Sequence, residues 1–164
     1  MKSILTYKKS QAWGIDLMIG VAIFLFGILT FYFYTINNPS EAKEKIDTFF
    51  YDGNLVSEMI LSEGHPKDWQ PENVIEIGIL SGEKINQTKL ERFYNLAETD
   101  YSKTKKLFNT RANYYVSFSD TITIGEEEVQ GIGLPPENEQ DLIKITRFTI
   151  YKEKPITMYV EIWE

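Results

Sequence analysis

A single carboxylate, Asp16, lies near the start of a long apolar stretch in the N-terminal part of this chain. A charged side chain at the centre of a membrane-spanning helix costs roughly 2.5–3.5 kcal/mol, and less near an end, so such a residue usually has a function. Two interpretations follow. In a monomer, headgroups or water hydrate Asp16 about one turn inside the membrane surface. In an assembly of apolar helices, Asp16 pairs with a cation from a neighbouring copy.

Other chemically capable residues lack the spacing that catalysis or metal binding needs. His65 is the only histidine and there is no cysteine, so the ligands of an ordinary zinc site are missing. The acidic run at residues 126–128 lacks the ligand spacing of a calcium loop and favours a solvated turn. Gly131 and Gly133 have no phosphate-binding context, and no G-x-S-x-G motif occurs. The sequence therefore predicts no catalytic residue, no metal site and no cofactor.

Asn86 is the one candidate for covalent modification. Asn86-Gln87-Thr88 has the N-x-[ST] pattern, whereas Asn38-Pro39-Ser40 is excluded by its proline. The pattern predicts glycosylation of Asn86 if the source organism glycosylates exported proteins. A chance occurrence of so short a pattern is the alternative.

The element that carries Asp16 is predicted to be a transmembrane helix. Residues 17–36 contain no charged side chain, and about 20 apolar residues cross a hydrocarbon core of roughly 30 Å. Tyr32 and Tyr34 are typical of an outer interfacial belt. The run is longer than the core of a removable signal peptide and has no A-x-A cleavage pattern after it, which favours a retained anchor.

The distribution of charge predicts the orientation of this helix. Lys2, Lys8 and Lys9 precede it, whereas 14 basic and 23 acidic residues follow it. Basic residues near the end of a span stay in the cytoplasm, so we expect a cytoplasmic N-terminus and an exported C-terminal domain. The acidic balance of that domain argues against a nucleic-acid partner. Without cysteine, the domain must be held together by its apolar core.

The junction at residues 8–19, KKSQAWGIDLMI, resembles the N-terminus of type IV pilins, in particular of archaeal pilin-like proteins. The shared features are a short basic leader, a small residue, and an apolar helix with one carboxylate near its start. In that family a prepilin peptidase cuts ahead of the apolar segment, so the helix remains in the mature protein. The resemblance implies that Lys9 and Ser10 end the leader and that Gln11 becomes the new N-terminus. Asp16 is then sixth, one place later than the glutamate of bacterial pilins.

This resemblance also implies partners and a mode of assembly. Cleavage would free an α-amine on each subunit, and Asp16 of an adjacent copy would pair with that cation. Gly14 and Gly20 are candidate contact positions because small residues let apolar helices approach closely, although glycine is also common in membrane helices. The expected partners are the lipid bilayer, further copies of the chain, a prepilin peptidase and the pilus assembly machinery.

The fold class predicted for the whole chain is α+β, with a long N-terminal transmembrane helix that extends into a small domain, as in pilins. Helical periodicity is predicted from residue 40, with Ser40 as its cap, to about residue 62, with a kink at residues 52–54. Ile46 and Phe50 belong to the apolar stripe of this helix, and the chain is expected to loosen near residues 37–39. A second helical stretch is predicted over residues 87–108, divided near Thr99-Asp100.

Strands are predicted at residues 73–80, 112–119, 121–124, 142–151 and 156–163, the last two as a hairpin. These strands would form an antiparallel sheet of about four strands. Residues 157–160 are a candidate exposed edge that a neighbouring subunit could cover. Trp69 and Trp163 are expected to pack in the core or on the sheet rather than to bind a ligand.

Three segments follow from these patterns: a cytoplasmic leader at 1–10, a transmembrane and assembly helix at 11–38, and an extracytoplasmic α+β domain at 39–164. The pilin resemblance implies cleavage of the leader. The predicted function is that of a type IV pilin-like structural subunit of a surface filament or pseudopilus. The alternative is a non-assembling, single-pass membrane protein whose outer domain binds a partner. A membrane-tethered enzyme has no supporting set of residues.

Overall fold

The computed structural model describes the backbone of residues 5–37, 41–139 and 141–164, and the side chains of residues 14–36, 43–139 and 141–164. The chain divides into two compact units, Met1–Glu41 and Ala42–Glu164. The loosening predicted around Asn38-Pro39 and the helix cap predicted at Ser40 lie outside the described residues. The predicted segment boundaries after residues 10 and 38 stay predictions.

The first unit is built around helix α1, Leu5–Asn37. Its stretch Gly14–Ile36 has the length and composition of a membrane span, and a signal sequence near an N-terminus has the same properties. Every side chain from residue 14 to residue 36 is exposed. The predicted N-terminal apolar helix is therefore confirmed, and its orientation in a membrane stays a prediction.

Helix α2, Glu41–Ile60, packs one face on the core of the second unit. The buried positions recur at helical spacing and are Phe49, Gly53, Val56, Ser57 and Ile60. The helix continues through residues 52–54, where the sequence predicts a kink. Ile46 and Phe50, predicted to lie on the buried face, are 46% and 56% exposed, so that part of the prediction is wrong.

The segment between α2 and the first strand is irregular, and the strand predicted at residues 73–80 is wrong. Within residues 73–79 only Glu76 forms a bridge, with His65, and Leu80 already belongs to the first strand of the sheet. The backbone of this segment instead bonds back to the end of α2, since Ile79 N–H donates to the carbonyl of Ile60 at 2.9 Å. The apolar residues that made this segment resemble a strand are instead buried in the core, and they are Val74, Ile77 and Ile79.

Two short strands and two helices follow: β1 (Leu80–Ser81), β2 (Lys84–Ile85), α3 (Gln87–Thr99) and α4 (Tyr101–Leu107). The predicted division between the helices is confirmed. Asp100 separates them because its side chain accepts a hydrogen bond from Lys103 N–H at 2.9 Å and caps α4.

The remaining chain forms four long strands: β3 (Asn113–Ile124), β4 (Glu127–Gly133), β5 (Leu142–Tyr151) and β6 (Lys154–Trp163). The sheet has six strands in the order β1-β2-β5-β6-β3-β4. The α+β class and the β5–β6 hairpin are confirmed. The predicted set of about four antiparallel strands is corrected, because β4 and the short pair β1–β2 are added and β2 runs parallel to β5.

One face of the sheet carries the core. Tyr114 and Ile132 belong to it together with Ile145 and Ile162, and all four side chains are buried. Tyr114 stacks on Tyr101 with ring centroids 4.9 Å apart and meets Phe108 edge-on at 5.1 Å. Trp69 and Trp163, predicted to pack rather than to bind ligands, are 0% and 2% exposed. Residues 157–160, predicted as an exposed edge, lie in the sheet interior on β6.

Gly53 marks the closest approach of α2 to the sheet. A Cβ atom at this position would lie 2.8 Å from Ile145 Cγ1 and 3.4 Å from Ile162 Cγ1. A larger side chain must push the helix away from the two isoleucines, and overpacking of this kind costs about 1–3 kcal/mol.

We therefore expect Gly53→Val to lower the free energy of unfolding by about 1–3 kcal/mol, measured by denaturant unfolding of the full chain in detergent. Asp47→Val is the matched control, since Asp47 lies on the exposed side of the same helix. A Gly53→Val protein as stable as the Asp47→Val protein would show that the contact between α2 and the sheet is not tight.

Candidate assembly helix and modification site

The predicted assembly residues of α1 fall on two sides of the helix. Asp16, Gly20 and Gly27 share one face, because separations of four and seven residues are close to whole turns of about 3.6 residues. Gly14 lies on another side. A Cβ atom at Gly14, Gly20 or Gly27 would have no neighbour within 4 Å, so these positions are open to an incoming helix.

The side chains of α1 suit an apolar environment. The large apolar residues from Ile15 to Ile36 are between 49% and 76% exposed. The two threonine hydroxyls are satisfied within the helix, because Thr30 Oγ1 donates to the carbonyl of Phe26 at 2.5 Å and Thr35 Oγ1 to that of Phe31 at 2.9 Å. Asp16 is the only ionisable residue from Gly14 to Phe31 and has no hydrogen-bond or ion-pair partner among the described residues.

The predicted processing residues Lys9, Ser10 and Gln11 lie in α1 by their backbone, and their side chains are outside the described set. The bond between Ser10 and Gln11 is inside a continuous helix. Cleavage at this bond stays a prediction.

Asn86, the predicted glycosylation site, is the N-cap of α3. Its Oδ1 accepts a hydrogen bond from Lys89 N–H at 3.1 Å, and its Nδ2 donates to Ser81 Oγ at 3.1 Å. A glycan would be attached to this same Nδ2 atom. The fold therefore gives Asn86 a structural role at the start of α3, and its glycosylation stays a prediction.

We expect Asn86→Ala to lower the free energy of unfolding by about 1 kcal/mol, because α3 loses its cap, whereas Asn86→Asp keeps the acceptor and is nearly neutral. Denaturant unfolding measures both changes. Thr88→Ala removes the glycosylation pattern without changing the cap. An intact mass that falls by more than the Thr-to-Ala difference in the Thr88→Ala protein would reveal a glycan on Asn86.

Basic side chains of α3 and α4 hold the irregular segment in place by binding its carbonyl groups. Lys89 Nζ donates to the carbonyls of Glu63 and Leu80, at 2.8 and 2.7 Å. Arg92 Nη1 donates to the carbonyl of Trp69, and Lys103 Nζ to that of Pro71, each at 2.7 Å. This role is not visible in the sequence, since a lysine on an amphipathic helix ordinarily points to solvent.

Lys89 is the most buried of these cations. Its side chain and backbone together are 6% exposed, and burial lowers the pKa of the ammonium group, while the nearby Glu63 carboxylate opposes this shift. Because the folded chain releases this proton more readily than the unfolded chain, the contribution of Lys89 to stability rises as the pH increases through the folded-state pKa.

Lys89→Met should lower the free energy of unfolding by about 1–3 kcal/mol, because two backbone carbonyls lose their donor. Lys106→Met, at an exposed position of α4, should change it by less than about 0.5 kcal/mol. Denaturant unfolding at neutral pH compares the two variants. If the Lys89→Met and Lys106→Met proteins are equally stable, water replaces the ammonium group of Lys89 without a loss in the free energy of unfolding.

An open cavity lies beside the turn between β5 and β6. It has a volume of about 460 Å³ and is lined by Asp120, Tyr151, Lys152, Lys154, Pro155 and Ile156. Among the described side chains, no group of three or more His, Asp and Glu residues could hold a metal ion.

The remaining candidates from the sequence have structural positions. His65 is exposed and its backbone pairs with Glu76. Glu127 and Glu128 belong to strand β4 rather than to a turn, which corrects the prediction for residues 126–128. Gly131 lies under the ring of Tyr115, where a Cβ atom would collide with that ring.

Comparisons with protein-family models, with curated proteins and with solved structures give no match to this chain.

Proposed function

We propose that this chain is a type IV pilin-like structural subunit that assembles through α1 into a surface filament or pseudopilus. The observation that carries the proposal is a continuous apolar helix, exposed along its whole described length, with its one acidic residue on the same face as two glycines. The resemblance of residues 8–19 to pilin N-termini supports the same conclusion.

An exposed apolar helix requires surroundings other than water. The large side chains of Gly14–Ile36 face outward all round the helix. A bilayer meets this requirement before assembly, and a bundle of α1 helices from other copies meets it afterwards. The Gly20 and Gly27 positions permit close approach of a second helix on the face that carries Asp16.

Because of Asp16, packing of the α1 helices requires a cation beside this carboxylate. A carboxylate transferred into a dry helix bundle without a partner is strongly unfavourable, and a cation at hydrogen-bonding distance removes most of that penalty. After cleavage before Gln11, the free α-amine of an adjacent copy supplies the cation. Assembly would then depend on processing, because the uncleaved leader leaves an uncharged amide at this position.

The second unit supplies the outer surface in this proposal. It contains an excess of acidic residues, and its sheet has helices on one face only, so the other face is open. An open sheet face suits contact with solvent or with a partner outside the membrane.

We expect Asp16→Ala to reduce the assembled fraction of the protein at least tenfold, because the α-amine of the adjacent copy loses its counter-charge. Asp16→Glu should retain assembly, and Leu17→Ala is the control for loss of side-chain volume in the same turn. High-speed sedimentation of material sheared from cells, followed by electron microscopy, measures the assembled fraction.

Intact mass of the membrane-extracted protein separates the alternatives. A chain that lacks residues 1–10 supports prepilin processing, and one that retains its start supports the non-assembling anchor. A chain that begins after residue 36 would identify α1 as a removed signal sequence. Normal assembly of the Asp16→Ala protein would overturn the role assigned to this carboxylate.

A further inference from the structure

Strand β5 is an edge strand over most of its length. Its neighbour on the outer side, β2, pairs with it only where Lys84 lies opposite Ile150. From Leu142 to Phe148, the side of β5 that faces away from β6 has no strand beside it among the described residues. Phe148 is 81% exposed at this edge. A long edge with few charges readily pairs with another strand.

The orientation of the free backbone groups follows from one hydrogen bond on β6. Thr157 N–H donates to Ser119 Oγ at 3.1 Å, so the backbone of Thr157 is directed toward β3. Residues of a strand between two antiparallel neighbours alternate in the neighbour they bond to. Phe148 lies opposite Thr157, so its N–H and C=O groups point away from β6, and the same holds for Thr146, Lys144 and Leu142.

The opposite edge of the sheet is β4, and its free groups follow in the same way. On β6, Tyr159 and Glu161 are directed toward β3 like Thr157, and their partners there are Ser117 and Tyr115. Those two residues therefore bond to β6 and not to β4. Their partners on β4, which are Gly131 and Gly133, direct their backbone groups outward.

The two free edges carry opposite charges. Strand β4, EEVQGIG, contains Glu127 and Glu128 and no basic residue, whereas β5, LIKITRFTIY, contains Lys144 and Arg147 and no acidic residue. Lys144 is paired with Glu161 on its own sheet face. Arg147, Glu127 and Glu128 form no ion pair with the part of the chain that the structure describes.

The free edges of β4 and β5 also match in length and in strand direction. Strand β4 has seven residues, and the free part of β5 runs from Leu142 to Phe148, again seven. The strands from β5 through β6 and β3 to β4 alternate in direction, so β4 is antiparallel to β5. A second copy in the same orientation therefore presents its β4 antiparallel to the β5 of the first.

We propose that copies of this chain pair edge to edge, with β4 of one copy adding to β5 of the next as an antiparallel strand. Over the full length of both edges, Gly133 lies opposite Leu142 and Gly131 opposite Lys144. This register brings outward-directed backbone groups together on both strands. It also brings the acidic end of β4, at Glu127 and Glu128, to the end of β5 that carries Arg147, whose Nη2 donates to Asn54 Oδ1 at 2.7 Å within its own copy.

The contact joins two different edges, so it is a head-to-tail interface that can repeat from copy to copy. Main-chain hydrogen bonds supply the affinity, as in other cases where a strand is added to a sheet edge. The pairing uses the second unit alone. It does not rest on the assembly proposed for α1, and Asp16→Ala should leave it intact.

Proline at position 146 tests the pairing in the full chain, purified in detergent micelles. The N–H of Thr146 points to the free edge, so Thr146→Pro removes an intermolecular donor while the β5–β6 ladder is kept. Thr146→Ala keeps the N–H and is the control. Energy transfer between labelled copies should fall at least fivefold for Thr146→Pro and stay within twofold of the original chain for Thr146→Ala.

Cross-linking provides a measurement that does not depend on the proline variant. The chain has no cysteine, so Gln130→Cys on β4 and Thr146→Cys on β5 each introduce a single thiol. With a short bis-maleimide, a mixture of the two variants should give a covalent dimer, and each variant alone should give at least fivefold less. Adding Glu128→Lys to the Gln130→Cys chain should lower the mixed yield, whereas Glu98→Lys on exposed α3 should not.

Two results would overturn the proposal. Equal dimer yields in the mixed and the unmixed samples would show random encounter or pairing of like edges. Unchanged energy transfer in a folded Thr146→Pro protein, verified by near-ultraviolet circular dichroism, would show that β5 does not accept a strand at this edge.

Discussion

The second unit depends on one apolar layer, formed where α2, α3 and α4 cover a single face of the sheet. With no disulfide and no metal ligand cluster among the described residues, burial of this layer is the main source of stability. Gly53 brings α2 close to Ile145 and Ile162, and the aromatic group around Tyr114 joins α3 and α4 to β3. One-sided coverage leaves the opposite face and both long edges of the sheet free.

Hydrogen bonds from side chains also stabilise the second unit. The irregular chain between α2 and α3 has few strand or helix partners for its carbonyl groups, which must be satisfied when buried. Lys89, Arg92 and Lys103 supply donors from the helices, and the Trp69 indole donates to the carbonyl of Gly78 at 2.9 Å. A cationic side chain can therefore act as part of the backbone hydrogen-bond network, which is a role that its charge alone does not indicate.

Patterns that are local in sequence predicted most of the fold. The β5–β6 hairpin follows from alternation on both sides of a short charged turn, and the division of α3 from α4 follows from the capping residue Asp100. Strand β4 was missed because the acidic run at residues 126–128 and two following glycines resemble a turn, and only pairing with β3 makes residues 127–133 a strand. Residues 73–80 were misassigned since their hydrogen bonds go to the end of α2, which no local pattern specifies.

The candidate site divides in the same way. That Asp16 and Gly20 share a face follows from helical period alone, whereas the carbonyl contacts of Lys89 depend on Glu63 and Leu80, which no local pattern places beside α3. The free edge was predicted on the wrong strand, because hairpin membership is visible in the sequence and strand order is not.

The order of strands has a consequence for how the chain folds. The β3–β4 and β5–β6 hairpins join neighbouring strands in sequence and can form quickly, within about 1–10 μs for an isolated hairpin. The β3–β6 pair instead places Tyr114 opposite Ile162, which is far away in sequence. Forming this pair costs the conformational entropy of closing a long loop, and the contacts between the strands offset that cost only afterwards. Docking of the two preformed hairpins, which pairs β3 with β6, is therefore the step that we expect to limit the rate of folding.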